Sequence, residues 1–199
     1  MQCSQDLQKL LQILNRNPRS FEDILDFGCG CGRVSRYFFD HHTSTRLYGT
    51  DIDSEVITWC KAHFPNPAQW SVNNHLPPTA YDSNTFDLIY VVSVFTHLHE
   101  EHQFAWLAEL KRISRSGCVI ILTVHGSVYY DTIAMPEKGF LHKLHRSGAF
   151  QICGLPEYYQ TTYHKKHYIE QEWSQFFTIG HYVERGIANH QDAIILFNE

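Results

Sequence analysis

The sequence predicts an α/β protein: one doubly wound sheet of mostly parallel strands with helices on both faces. Three observations predict it. Short apolar runs alternate with segments of helical spacing as far as Val124, a glycine-rich turn follows the first run, and an acidic residue closes the second. The 199 residues suit a single domain spanning 1–199. A chain of that length buries about 70% of its unfolded surface, so its core needs no disulfide or metal to hold it.

The elements follow in order. Gln5 to Asn15 places Leu7, Leu10, Leu11 and Leu14 on one helical face, and Asn17-Pro18 ends it. Asp23 to Phe27 (DILDF) is a strand entering GCGCGR, and Val34 to Phe39 reads as the helix after it. Arg46 to Thr50 is the second strand, Glu55 to His63 a helix stopped by Pro65, and Trp70 to Val72 a short third strand. Phe86 to Val92 (FDLIYVV) is a continuous apolar run, expected to be a strand buried on both faces. His102 to Ile113 is an amphipathic helix with Lys111 and Arg112 in its last turn. Ser114 to Gly117 reads as a turn into the fifth strand, Cys118 to Val124. From Gly126 to Glu172 the chain has no strong strand signal and is rich in tyrosine and phenylalanine, Phe150, Tyr158 and Tyr159 among them. Within it, His164-Lys165-Lys166-His167 reads as one solvated helix face. Ser174 to Arg185 and Ala193 to Asn198 close the chain as two strands, most simply an antiparallel pair.

Composition excludes several classes. Charged residues make up 19% and hydrophobic ones 43%, which argues against disorder and fibrous repeats. Sixteen basic against 21 acidic residues give a net charge of −5, a poor match for a large nucleic acid as substrate. No apolar run is long enough to span a membrane, the first residues lack a signal-peptide pattern, and the six cysteines form no C-x-x-C pair. A reduced, cytoplasmic location is the expectation.

The strongest motif is ILDFGCGCGR, in which Asp26, Gly28, Gly30 and Gly32 form D-x-G-x-G-x-G at the end of the first strand. Glycines let the chain turn sharply and bring its backbone against a ligand with no Cβ in the way, and a following helix would offer its N-terminal N–H groups. A dinucleotide fingerprint would place glycine at position 33, where this chain has Arg33. In YGTDID, Asp51 ends the second strand, where a carboxylate holds both hydroxyls of a ribose. A helix-capping role is the plainer alternative for an Asp at a strand end.

With these motifs the chain resembles the class I S-adenosylmethionine-dependent methyltransferases. LPPTAYDSNTFDLIYVVSVFTHL is similar to that family's segment through the fourth strand, and WLAELKRISRSGCVIILTVHG to its next helix, turn and fifth strand. The resemblance runs from about residue 21 to 126. It implies a Rossmann-like sheet of seven strands, the last running antiparallel between the fifth and sixth. It also implies S-adenosyl-L-methionine as cofactor and S-adenosyl-L-homocysteine as product. Asp26, Gly28, Gly30 and Gly32 would line the methionine end, Asp51 would hold the ribose, and Ile52 would pack on the adenine. Asn73 or Asn74 stands where the family often has an acid for the adenine amine, and Ser93 would sit beside the sulfonium. The turn Ser114-Arg115-Ser116-Gly117 lacks the family's usual Pro and second Gly.

Methyl transfer to oxygen also needs a base near neutral pH, and His97 follows the fourth strand at the sheet's carboxyl edge. Its alternative role is structural. His125, beyond the fifth strand, and His190 with Gln191, in the loop before the last strand, reach the same edge and are candidates for binding the acceptor. A plain turn at His190-Gln191-Asp192 is an equal alternative. No Asn-Pro-Pro-aromatic motif follows the fourth strand, which argues against exocyclic amines of bases or glutamine amides; a small-molecule or saccharide oxygen leads, with N- or C-methylation open. Residues 126–172 are expected to cover the substrate. His97, His99 and His102 lack the spacing of a zinc helix, so no metal is expected. The rival readings are a non-catalytic S-adenosylmethionine-binding partner subunit and an NAD-dependent oxidoreductase.

Overall fold

A computed structural model describes residues 2–37, 44–64, 68–143 and 160–199. The main sheet is formed by β1 (Asp23–Phe27), β2 (Arg46–Asp51), β3 (Gln69–Val72), β4 (Phe86–Val91), β5 (Ser114–Val124), β8 (Thr178–Ile187) and β9 (Gln191–Asn198). Its order is β3-β2-β1-β4-β5-β9-β8. β1 to β5 run parallel, and β9 pairs antiparallel with both β5 and β8. The expected seven strands and their one reversed member are therefore present.

Alternation along the strands divides the core into two layers. Ile24, Leu88, Val119, Ile121 and Ile195 face Leu7, Leu10 and Leu11 of α1 (Gln2–Ile13). Leu25, Ile89, Val91, Ile120 and Ile194 face the other way, against Trp106, Leu107 and Leu110 of α3 (Glu100–Ile113). β4 is buried along nearly its whole length, as its apolar run requires. α2 (Ser54–His63) starts on Asp53, whose carboxylate accepts from the Glu55 and Val56 N–H groups at 2.8 and 3.4 Å.

Four expectations are corrected. The helix after the glycine turn is, among the described residues, a single 3-10 turn at Ser35–Tyr37, pinned by the Ser35 hydroxyl donating to Asp26. Ser114 to Gly117 is no turn outside the sheet. Ser114 pairs with Phe86, and the ladder resumes at Val119 opposite Leu88, so the segment is a bulge within β5 with Gly117 at φ +78°. The tyrosine-rich region does contain strands: β6 (Phe140–Lys143) and β7 (Thr161–His164) form a separate antiparallel pair before α4 (Lys166–Glu172). His164 is accordingly no part of a solvated helix face; it ends β7 fully buried. Phe150, Tyr158 and Tyr159 lie outside the described residues.

Candidate active site

The glycine turn folds back over the end of β2. Both the Gly28 and Cys29 N–H groups donate to the Thr50 carbonyl, at 2.8 and 3.0 Å. Gly28, Gly30 and Gly32 adopt φ of +75°, +50° and +67°, which only glycine takes without strain. A Cβ on Gly28 would lie 2.2 Å from Val94 Cγ2, so the turn and the loop after β4 fit together only around a hydrogen atom. Gly30 faces open space and donates its N–H to Asp51 Oδ2 at 2.8 Å. The other Asp51 oxygen accepts from the Asp53 N–H at 3.0 Å. The carboxylate is thus fixed in place, and each oxygen keeps a lone pair for an incoming hydroxyl.

These groups border a cavity of about 480 Å³, a volume typical of small-ligand sites. Asp26, Gly28, Gly30, Asp51, Ile52, Asn73, Ser93 and His97 all line it. Ile52 leaves 44% of its surface exposed there, an apolar face suited to a flat heterocycle. Gly32 is set behind the wall, where a Cβ would meet the Phe64 ring at 2.5 Å; its role is packing. Asn74 is exposed and off the wall, while Asn73 is held on it by the Thr50 hydroxyl at 2.9 Å. His125, His190 and Gln191 do not border the cavity directly. Gln191 reaches it through Ser93, whose hydroxyl lies 2.7 Å from the Gln191 amide nitrogen.

Asp26 is buried at the foot of the turn between the Ser35 and Tyr90 hydroxyls. Burial pushes its carboxyl up to about 7, against the opposing pull of the Ser35 hydrogen bond. The group therefore titrates near neutrality beside the cavity.

His97 is placed by neighbours that its own sequence context does not reveal. Its Nδ1 lies 2.8 Å from the Gln160 carbonyl, so that nitrogen carries the proton and Nε2 holds the lone pair. Burial lowers its pKa, keeping the imidazole neutral at pH 7. Gln160 immediately precedes β7, and β7 clamps the same loop twice more. The Thr162 N–H donates to the Thr96 carbonyl and the Thr162 hydroxyl to the Leu98 carbonyl, both at 2.8 Å. From α3, the Gln103 amide donates to the Phe95 and Leu98 carbonyls at 3.1 and 3.0 Å.

Beyond His97 the rings continue. His125 packs edge-on against His97 at 6.4 Å, Tyr129 at 5.0 Å and His190 at 6.0 Å, and tilted against Tyr163 at 5.5 Å. The Tyr129 hydroxyl and His190 Nε2 are 2.7 Å apart. Burial lowers the His125 pKa to about 4, with the neighbouring His97 and His190 adding to it. Sequence reasoning named the three histidines separately and missed Tyr129 and Tyr163, whose only signal was their density in an aromatic-rich stretch. Among the described residues no group of three or more His, Cys, Asp or Glu side chains is arranged to hold a metal. No described helix is long and apolar enough to cross a membrane.

A parallel sheet closed by one reversed strand, with a glycine turn and a fixed acid at its carboxyl edge, defines a nucleoside-binding α/β protein of the methyltransferase type. Residues 24–117 match a family model described as a methyltransferase domain. The chain is 31% identical over 108 residues to a malonyl-[acyl-carrier protein] O-methyltransferase of Hahella chejuensis, covering 51% of this chain and 37% of that protein. It is 27% identical over 107 residues to a probable methyltransferase of Aspergillus luteorubrus, covering 49% of this chain and 38% of that one. The matching stretch thus spans little more than a third of either relative's length. A solved S-adenosylmethionine-dependent methyltransferase from Mesorhizobium loti superposes with a TM-score of 0.68 at 11% identity, covering 96% of this chain and 97% of that one. Residues 24–117 are thus similar to a methyltransferase domain, and the fold is the one shared by solved S-adenosylmethionine-dependent methyltransferases.

Proposed function

We propose that this chain transfers the methyl group of S-adenosylmethionine to an oxygen of a small-molecule or saccharide acceptor, with His97 as general base. The observation that carries the reading is that His97 borders the same cavity as Asp51 and the glycine turn, neutral and with its Nδ1 proton committed to Gln160. The residues present fit the cofactor: Asp51 for the ribose, Ile52 and Asn73 for the adenine, and Asp26, Gly28 and Gly30 with Ser93 for the methionine end. When bound, the cofactor supplies a methyl on a positively charged sulfur. The chain's own part is to align the acceptor oxygen in line with that methyl, exclude water and take the proton at His97 Nε2. His125, His190 and Gln191 back the acceptor side from behind His97 and Ser93, and Tyr129 and Tyr163 pack on His125.

Calorimetric titration with S-adenosylhomocysteine, with NAD in a parallel cell, tests the reading. Micromolar binding to the first ligand alone supports it, and binding to NAD alone overturns it. Cofactor binding without turnover across a panel of phenols and sugars would favour the partner-subunit reading.

A further inference from the structure

The histidine and tyrosine rings beyond His97 are held from two sides: a bridge between His125 and Tyr163 joins β5 to β7, and the turn that carries Tyr129 is fixed separately. That turn, Gly126 to Tyr130, pairs with no strand among the described residues. It is tied down by Asp192, fully buried in β9. The carboxylate accepts four hydrogen bonds: from the Ser127 N–H at 2.7 Å and hydroxyl at 2.6 Å, the Tyr182 hydroxyl at 2.7 Å and the Arg185 N–H at 2.8 Å. Three segments meet on it: the turn after β5, the bulge of β8, and β9 itself. Gly126 makes room for this contact, because a Cβ there would lie 2.0 Å from Asp192 Oδ2.

Resting on the methyltransferase reading above, we infer that Asp192 is the positioning residue of the acceptor wall: by fixing Ser127 it seats Tyr129 over His125, and His125 against His97. Asp192 touches no cavity surface itself, so it acts through the turn. The geometry demands a carboxylate. The two backbone N–H groups bind different oxygens, Ser127 on Oδ2 and Arg185 on Oδ1. An amide turned either way would set its NH2 against one of them, and a backbone donor cannot reverse its role. In the sequence Asp192 was read only as part of a polar loop, whereas it is the strand residue opposite Val124.

The test is Asp192→Asn, with Tyr182→Phe and Ser127→Ala beside it, read by NMR titration of the histidine rings and by calorimetry with S-adenosylhomocysteine. The low His125 pKa depends on burial beneath its ring neighbours. Loosening the turn in Asp192→Asn should raise it by about a unit or more toward the ordinary histidine value. S-adenosylhomocysteine affinity should change less than about threefold, because Asp51 and the glycine turn are untouched. Tyr182→Phe and Ser127→Ala each remove one of four donors and should give smaller shifts in the same direction. If Asp192→Asn does not fold, Ser127→Ala carries the comparison. A folded variant whose His125 titrates as in the wild type overturns the proposal, as does a loss of cofactor affinity equal to the disturbance at His125. Failure of the methyltransferase reading is seen separately, as a wild-type chain that does not bind S-adenosylhomocysteine.

Discussion

Acid should weaken this fold through one buried histidine, and the amount follows from its surroundings. His164 is fully buried, and its Nε2 lies 2.9 Å from Gln103 Oε1. Gln103 is locked in orientation because its amide nitrogen donates to two carbonyls, so its oxygen accepts and His164 Nε2 carries the proton. Nδ1 is buried with no hydrogen-bond partner among the described residues, and a second proton there would charge the ring among Phe140, Tyr168 and Trp173. Burial accordingly depresses the pKa from 6.5 to about 3.

The folded pKa lies below the unfolded one, so the unfolded chain binds the proton first. The stabilising contribution is complete above pH 6.5 and is lost as pH falls toward 3. Each pH unit in that window costs about 1.4 kcal/mol, and from pH 6.5 to 5 the loss comes to about 2 kcal/mol. Set against a total of roughly 5–15 kcal/mol, this is a large share. His164→Gln keeps an N–H donor toward Gln103 but cannot titrate. Urea unfolding followed by tryptophan fluorescence, at steps from pH 7 to 4.5, gives stability against pH for both proteins. The carboxylates contribute equally to both curves, so the difference between them isolates His164. The variant should lose stability less steeply than the wild type by about 1.4 kcal/mol per unit. Parallel curves would refute the assignment of a neutral, donor-locked His164.

Three further outcomes are expected. Asp51→Ala removes the carboxylate that Gly30 and Asp53 hold in place and should weaken S-adenosylhomocysteine binding about 10- to 100-fold by calorimetry; unchanged affinity would discard the ribose assignment. His97→Ala should slow methyl transfer roughly 100-fold with cofactor affinity intact, and the wild-type rate should fall with pH below the ordinary histidine value as the base is protonated. A small effect on rate would return His97 to a purely structural role. Gly28→Ala must place a Cβ 2.2 Å from Val94 at φ +75°, so thermal unfolding should show about 1–3 kcal/mol lost together with weaker cofactor binding.

What was legible in the sequence divides by the kind of interaction that fixes each part. Strands such as DILDF and FDLIYVV announce themselves because apolar runs of that length have one place to go, and the glycine turn because its φ angles admit little else. β7, with the sequence TTYH, gives no such signal. It is buried although mostly polar, because Thr162 bonds to carbonyls of the loop after β4 and His164 to the Gln103 amide of α3, some sixty residues earlier. Only those distant partners make its burial tolerable, so a local reading assigns His164 to solvent. The same reason hid the clamp on His97, whose partner is the backbone carbonyl of Gln160, a group every residue carries.

The site therefore has two parts of different origin. The proposed cofactor side is local: Asp26 to Gly32 and Asp51 to Ile52 lie within one strand-turn-strand unit, so their spacing shows in the sequence. The proposed acceptor side is assembled from the loop after β4, the turn after β5, β7 and the start of β9. Each piece is polar, short and dependent on the others, with Asp192 and Gln103 as the buried groups that join them. A substitution on the cofactor side should change affinity for one ligand. One at Asp192 or Gln103 should disturb several acceptor-side residues together, since no member of that wall is held by its own element alone.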